Sequence, residues 1–200
     1  MSSDAPAPGG GSAAALNGAI GGALITMVCR LSISHKGLEP YGAELLSILE
    51  ETEKTRSELS GLVDRDTDAF NQVMNAFKMP KATEQEKKAR SAAIQIAFRT
   101  AAEVPLEVAR HCCSLLDSAV SISQKSNPNT ASDLGVSAQC AYAGMIGALM
   151  NVDINTPSIA DAEFVAGIND EARQIRRKAD ALKSKVDKVI GQALEPDPKN

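Results

Sequence analysis

Two hundred residues, rich in Ala, Leu, Lys and Glu, with 3% aromatics and no Trp, fit one helical domain with a sizeable core and exclude a sandwich or barrel. A net charge of -4 argues against the basic face that a nucleic-acid grip needs. Cys29, Cys112, Cys113 and Cys140 show neither C-x-x-C spacing nor a disulfide framework and read as reduced thiols. His35 and His111 have no metal-ligand spacing, so no metal is expected.

The chain opens on "DAPAPGGGSAAALNGAIGGALITMVCRL". No basic n-region precedes the uncharged run, and Asn17, Thr26 and many Gly and Ala dilute it. It is expected to be neither a signal peptide nor a membrane span, which predicts a soluble, cytoplasmic protein with no membrane contact. A phosphate loop of the G-x-x-x-x-G-K-[ST] kind is absent, and too few residues precede Gly9 for the strand of a dinucleotide fingerprint. The stretch from Ser12 to about Ser34 predicts a helix with Ser12 as N-cap and the glycines as the loop before it. Ala14, Gly18 and Gly22, four residues apart, let another backbone come close.

From Tyr41 to about Met79, steps of four and three from Leu45 to Phe77 trace one face of a long helix. Asp66 falls on that face, between Val63 and Phe70, while Asp64 and Asp68 fall elsewhere. A carboxylate aimed at a core is costly unless it is paired or used. Two readings stay open: an acid–base group with its pKa raised by burial, or a structural ion pair with Arg30, Lys36 or an Arg of a neighbouring helix.

Pro80 ends that helix, and Thr83 with Glu86 forms a capping box for the next. Pro105 starts or kinks a further helix reaching about Gln124. "KSNPNTASDLG" reads as a loop with Ser132 or Asp133 near a helix start. Leu134 to Val152 carries no charge and predicts a helix buried on all sides. "NVDINTPS" reads as a loop, and a last amphipathic helix runs from Phe164 to Val189. The expected fold is all-α, a multihelical bundle of about six helices, one domain over residues 1–200.

Five strings occur in one order: "PAPGGGSAAA", "LVDRDTDAFNQVMNAFKMPKATEQEKKAR", "VPLEVA", "NPNTASDLGVSA" and "NVDIN". Together, over residues 6–161, they resemble the cyclodeaminase/cyclohydrolase family of folate enzymes. The family includes the cyclodeaminase domain of formiminotransferase-cyclodeaminase and free-standing methenyltetrahydrofolate cyclohydrolases. The resemblance implies an all-helical homodimer that takes tetrahydrofolate derivatives as substrate and holds no permanent cofactor.

The family's catalytic aspartate, in its "D-x-D-x-x-A-F" stretch, corresponds to Asp66. The same likeness makes Pro8, Gly9, Gly10, Gly11 and Ser12 folate contacts, together with Asn127, Ser132, Asp133, Asn151 and Asn155. Lys36, with Lys81 or Arg90 as helpers, is expected to meet the anionic glutamate tail. Fewer residues precede "PGGGS" than is usual in the family, which raises the expectation of an abbreviated site or dimer. The implied activity is hydrolysis of 5,10-methenyltetrahydrofolate to 10-formyltetrahydrofolate. The alternatives are 5-formiminotetrahydrofolate cyclodeamination and a non-catalytic folate-binding dimer.

Overall fold

A computed structural model describes residues 2–195; Met1 and residues 196–200, which the 1–200 domain assignment includes, lie outside the described residues. Five long helices account for most of the described chain, and no strand occurs among the described residues. They are α1 (Gly10–Ile33), α2 (Gly42–Lys78), α3 (Glu84–Ile122), α4 (Ala131–Asn155) and α5 (Ala162–Leu194), with single 3-10 turns before α2, before α4 and after α4. The fold is all-helical as expected, with five long helices rather than about six.

The missing helix boundary is at Pro105, which lies inside an unbroken 39-residue α3. Proline lacks an N–H, so its cost here is the carbonyl of Ala101, left without its i→i−4 donor. The side-chain amide of Asn155 fills that place, donating to Ala101 O at 2.9 Å. The substitution of a side-chain donor for a backbone one lets the helix continue. At the start of α3 the expected capping box is present in full. The Thr83 side chain accepts from Glu86 N, and the Glu86 carboxylate accepts from Thr83 N.

Helix α1 runs antiparallel to both α2 and α4 and touches α3 between them. By length and composition it is apolar enough to cross a membrane, contrary to the expectation from its diluting Asn, Thr and Gly. Here most of it is buried in the bundle as a core helix. Its small residues set the spacing. A Cβ built on Gly18 would sit 2.7 Å from Cys112 Sγ, and one on Gly144 of α4 would sit 2.8 Å from Ala14 O and 3.0 Å from Gly18 N. Burial in the core pushes the Cys29 thiol up to about 11 and the Cys112 thiol higher still, which keeps both protonated and inert.

Helix α5 covers α3 and α4 from outside, fixed by ion pairs of Arg110 with Glu171 and Lys178 with Asp117. The uncharged α4 is not buried on all sides. One face packs on α1, α3 and α5, while Val136, Met150 and Ile154 are exposed.

Because two of the three nearest atoms facing Gly144, Ala14 O and Gly18 N, are backbone, they cannot swing aside. Gly144→Ala should therefore destabilise the fold by about 1–3 kcal/mol, lowering the melting temperature by several degrees in a thermal melt followed by circular dichroism. Gly167→Ala, at a helical site with nothing within 4 Å, should be neutral or stabilise by up to about 1 kcal/mol. Equal melting temperatures for the two variants would contradict the close-packing account.

Candidate active site

Helix α1 begins at Gly10, with Gly9 at the cap position and no side-chain cap bond. The glycines are therefore the end of the loop and the first turn, and Ser12 is not the N-cap. Its hydroxyl is used across the bundle instead, donating to Asp66 Oδ2 at 2.8 Å with Thr67 Oγ1 3.4 Å away. Gly11 makes this contact possible: a Cβ there would overlap Asp66 Oδ1. Only a residue with no side chain lets the carboxylate lie against the helix start.

Asp66 is half-buried, on the rim of the apolar face of α2 rather than inside the core. The buried register of α2 in this half runs through Leu62, Ala69, Val73 and Ala76, and the line Val63–Asp66–Phe70–Phe77 is its flank. Among the described residues Asp66 has no ion-pair partner. Arg30, one candidate, pairs with Glu53 at 2.9 Å, and Lys36, the other, is exposed past the far end of α1. The structural ion-pair reading has no partner to support it.

The carboxylate opens into a cleft of about 400 Å³ between the start of α1, the second half of α2, the middle of α3 and the end of α4. Its walls include Phe70, Phe77 and Phe98, three of the four phenylalanines in the chain, with Val73 and Met74 between them. Phe77 and Phe98 meet edge to face, 6.0 Å between centroids. Arg90 lies 5.8 Å over the Phe77 ring and donates to the Phe77 carbonyl oxygen. A protein with so few aromatics has gathered half of them around one carboxylate. Such walls suit a flat ring system, with Asp66 the charged group against it.

The predicted site residues fall into two groups. Gly9, Gly10, Gly11, Asp66, Asn151 and Asn155 line the cleft together, with Ser12 bonded to Asp66 and Pro8 in the segment leading to α1. The "NVDIN" stretch is not a loop, since α4 continues through Asn155. Asn151 donates to Gly147 O at 2.8 Å, and the amide of Asn155 is spent on Ala101 O and Asn151 O. Asn155 is thus an anchor between α3 and α4 on the cleft wall.

Lys36, Asn127, Ser132 and Asp133 are at the other end of α1. There Asn127 N donates to Ser32 Oγ and Asn127 Oδ1 accepts from Asn129 N. Helix α1 is 24 residues long, a separation of about 36 Å at 1.5 Å per residue. One chain does not bring the two groups together. Sequence reasoning passed over Phe98, Met74 and Ile154. Phe70 and Phe77, at i+4 and i+11 from Asp66 on its own helix, were the readable signal for the aromatic wall.

Fold and site define an all-helical domain with an aromatic cleft, one unpaired carboxylate and a glycine-opened helix start above it. A family profile described as formiminotransferase-cyclodeaminase matches residues 1–174. The chain is 40% identical over 190 residues to a methenyltetrahydrofolate cyclohydrolase of Methylorubrum extorquens, covering 95% of this chain and 91% of that one. It is 32% identical to a formimidoyltransferase-cyclodeaminase of Sus scrofa over 90% of its own length, but spans only 33% of that longer protein. A crystal structure of formiminotetrahydrofolate cyclodeaminase from Thermotoga maritima superposes with a TM-score of 0.87 at 29% identity, covering 96% of this chain and 92% of that one. The chain belongs to the formiminotransferase-cyclodeaminase family.

If Asn155 stands in for the missing N–H of Pro105, the two positions are energetically coupled. Asn155→Ala should cost about 1–2 kcal/mol, and the cost should shrink in a Pro105→Ala background, where a backbone N–H returns to Ala101 O. A denaturant-melt double-mutant cycle measures this; strictly additive effects would contradict the assignment.

Proposed function

We propose that the protein is a folate one-carbon enzyme that hydrolyses 5,10-methenyltetrahydrofolate to 10-formyltetrahydrofolate, and that it works as a homodimer. The observation carrying this reading is the unpaired Asp66 carboxylate, oriented by Ser12 and facing a cleft walled by three phenylalanines. The relative from Methylorubrum extorquens, matched over nearly its full length, favours hydrolysis over the sister reaction.

In this substrate the carbon bridging N5 and N10 is a cationic electrophile. The pterin ring is proposed to lie on the phenylalanine walls, displacing water from around the carboxylate. Asp66 Oδ1, the oxygen not held by Ser12, takes a proton from a water as its oxygen bonds to the bridging carbon. The bond from that carbon to N5 then breaks, and the proton held by Asp66 passes to N5. One water is consumed and one proton is released. Positioning of Oδ1 by the Ser12 bond and by the bare backbone at Gly11 is this chain's contribution to the step.

The second reading is cyclodeamination of 5-formiminotetrahydrofolate, favoured by the Thermotoga maritima structure and the Sus scrofa relative. Here N10 attacks the formimino carbon, and Asp66 in its acid form gives a proton to the departing ammonia. The same carboxylate and cleft serve both reactions. A non-catalytic folate binder is less well supported, because binding alone gives no role to an unpaired carboxylate held by its own hydrogen bond.

Absorbance of the methenyl chromophore separates the readings. Purified protein with 5,10-methenyltetrahydrofolate should bleach it roughly 10²–10⁴ times faster than buffer. With 5-formiminotetrahydrofolate it should generate little or none. Fast chromophore gain from the formimino substrate with no bleaching would make cyclodeamination the activity. Tight binding of both with neither change would leave only the binder.

A further inference from the structure

Behind the cleft, α4 and α5 enclose a second, polar pocket. From α4 it is lined by Leu149 and Asp153, continued by Thr156 in the turn beyond, and from α5 by Asn169, Arg173 and Arg176. Each set is spaced in steps of three and four, which keeps it on one helix face. The space between the two faces is about 270 Å³.

The charges around this space are not matched to one another. Arg176 is half-buried, yet among the described residues it has no ion-pair or side-chain hydrogen-bond partner. Asp180, one turn further along α5, accepts from the Tyr142 hydroxyl at 2.7 Å instead. Asp153 lines the pocket from the opposite helix, and its carboxylate is likewise unpartnered among the described residues. The half-buried amide of Asn169 is also unbonded. A cation and a carboxylate on facing helices attract, and in a close-packed interface they would meet directly. Here a space is left between them.

Charge decides what that space accepts. Arg173 is offset by Asp170, 3.3 Å away, so one cation and one carboxylate remain. A simple anion would gain at Arg176 and be repelled by Asp153, and a simple cation would meet the reverse. A zwitterion satisfies both, with the Asn169 amide free to bond to it. The volume lies just below the ~300 Å³ at which pockets for larger ligands begin, so the occupant is small.

We propose that this pocket binds a small neutral α-amino acid, its carboxylate on Arg176 and its ammonium group on Asp153. The occupant braces the last turns of α4 against α5. Asn151 and Asn155, two residues to either side of Asp153, stand across the helix from it and line the Asp66 cleft. One turn of α4 therefore joins the two sites, and occupancy of the pocket changes how the cleft holds its substrate. That consequence rests on the folate reading, whereas the binding does not.

Thermal melts read the binding without any substrate. Glycine, L-alanine, L-serine, L-threonine and L-glutamine are the probes. At least one should raise the melting temperature by about 3–6 °C when present at roughly ten times its Kd. Its amide, which lacks the carboxylate, and its N-acetyl form, which lacks the ammonium group, should give no shift. Arg176→Gln and Asp153→Asn should each abolish the shift. No shift with any probe, or a shift kept in both variants, would overturn the site. An equal shift from acetate or inorganic phosphate would make it an anion site and overturn the zwitterion.

Turnover reads the coupling. The amino acid that binds should change KM for 5,10-methenyltetrahydrofolate at least twofold in the wild type and leave it unchanged in Arg176→Gln. Binding with an unaltered KM would strike the coupling. A melting shift in a protein with no turnover of that substrate would strike the folate reading and uphold the pocket.

Discussion

The site depends on one contact: the Asp66 carboxylate lying against the start of α1, held through the Ser12 hydroxyl at 2.8 Å and admitted by the missing side chain of Gly11. A single charged group with no ionic partner is an expense for a folded chain, and bundles normally avoid it. Here the position is fixed by a hydrogen bond to one oxygen, and the second lies against the bare backbone at Gly11 on the cleft wall. The rest of the architecture places that oxygen. The small residues of α1 bring α2 and α4 close on either side, and the aromatic stretch of α2 and Phe98 of α3 complete the walls.

A second constraint ties the cleft floor to distant sequence. Pro105 removes a helical hydrogen bond, and the Ala101 carbonyl it frees is claimed by Asn155 at the last turn of α4. This joins "VPLEVA" to "NVDIN", two strings that look unrelated along the chain. An interruption that would ordinarily weaken a helix is here the socket that fixes the end of its neighbour. Ala101 and Asn155 both line the cleft, so the same bond sets its shape.

Local patterns made much of this legible. The alternating steps along α2, the capping box at Thr83 and the stop at Pro80 are interactions within a turn or two, and they match the structure closely. Asp66 stood out by its position on an otherwise apolar face, although that face proved to be the rim of the core. What the sequence left hidden is long-range. Ser12 has every property of an N-cap, and only the arrival of α2, 54 residues on, redirects its hydroxyl. Pro105 reads as a break unless the donor that replaces its N–H is known. The asparagines of "NVDIN" read as loop because their helical roles depend on partners outside the segment. The absence of charge in α4 was read as burial on all sides, whereas Val136 and Met150 stand exposed on one face. The grouping of Lys36, Asn127, Ser132 and Asp133 with the glycines came from family likeness alone, and a single chain holds them apart.

The central claim is that Asp66 is the acid–base group and not a structural carboxylate. Asp66→Asn keeps the size of the side chain and can still accept from Ser12, but it cannot take a proton. Measured together, turnover of 5,10-methenyltetrahydrofolate and the melting temperature decide the matter. The account predicts a loss of roughly two to four orders of magnitude in kcat with the melting temperature held within a few degrees, and Asp64→Asn and Asp68→Asn should leave both unchanged. Wild-type turnover in well-folded Asp66→Asn would contradict it.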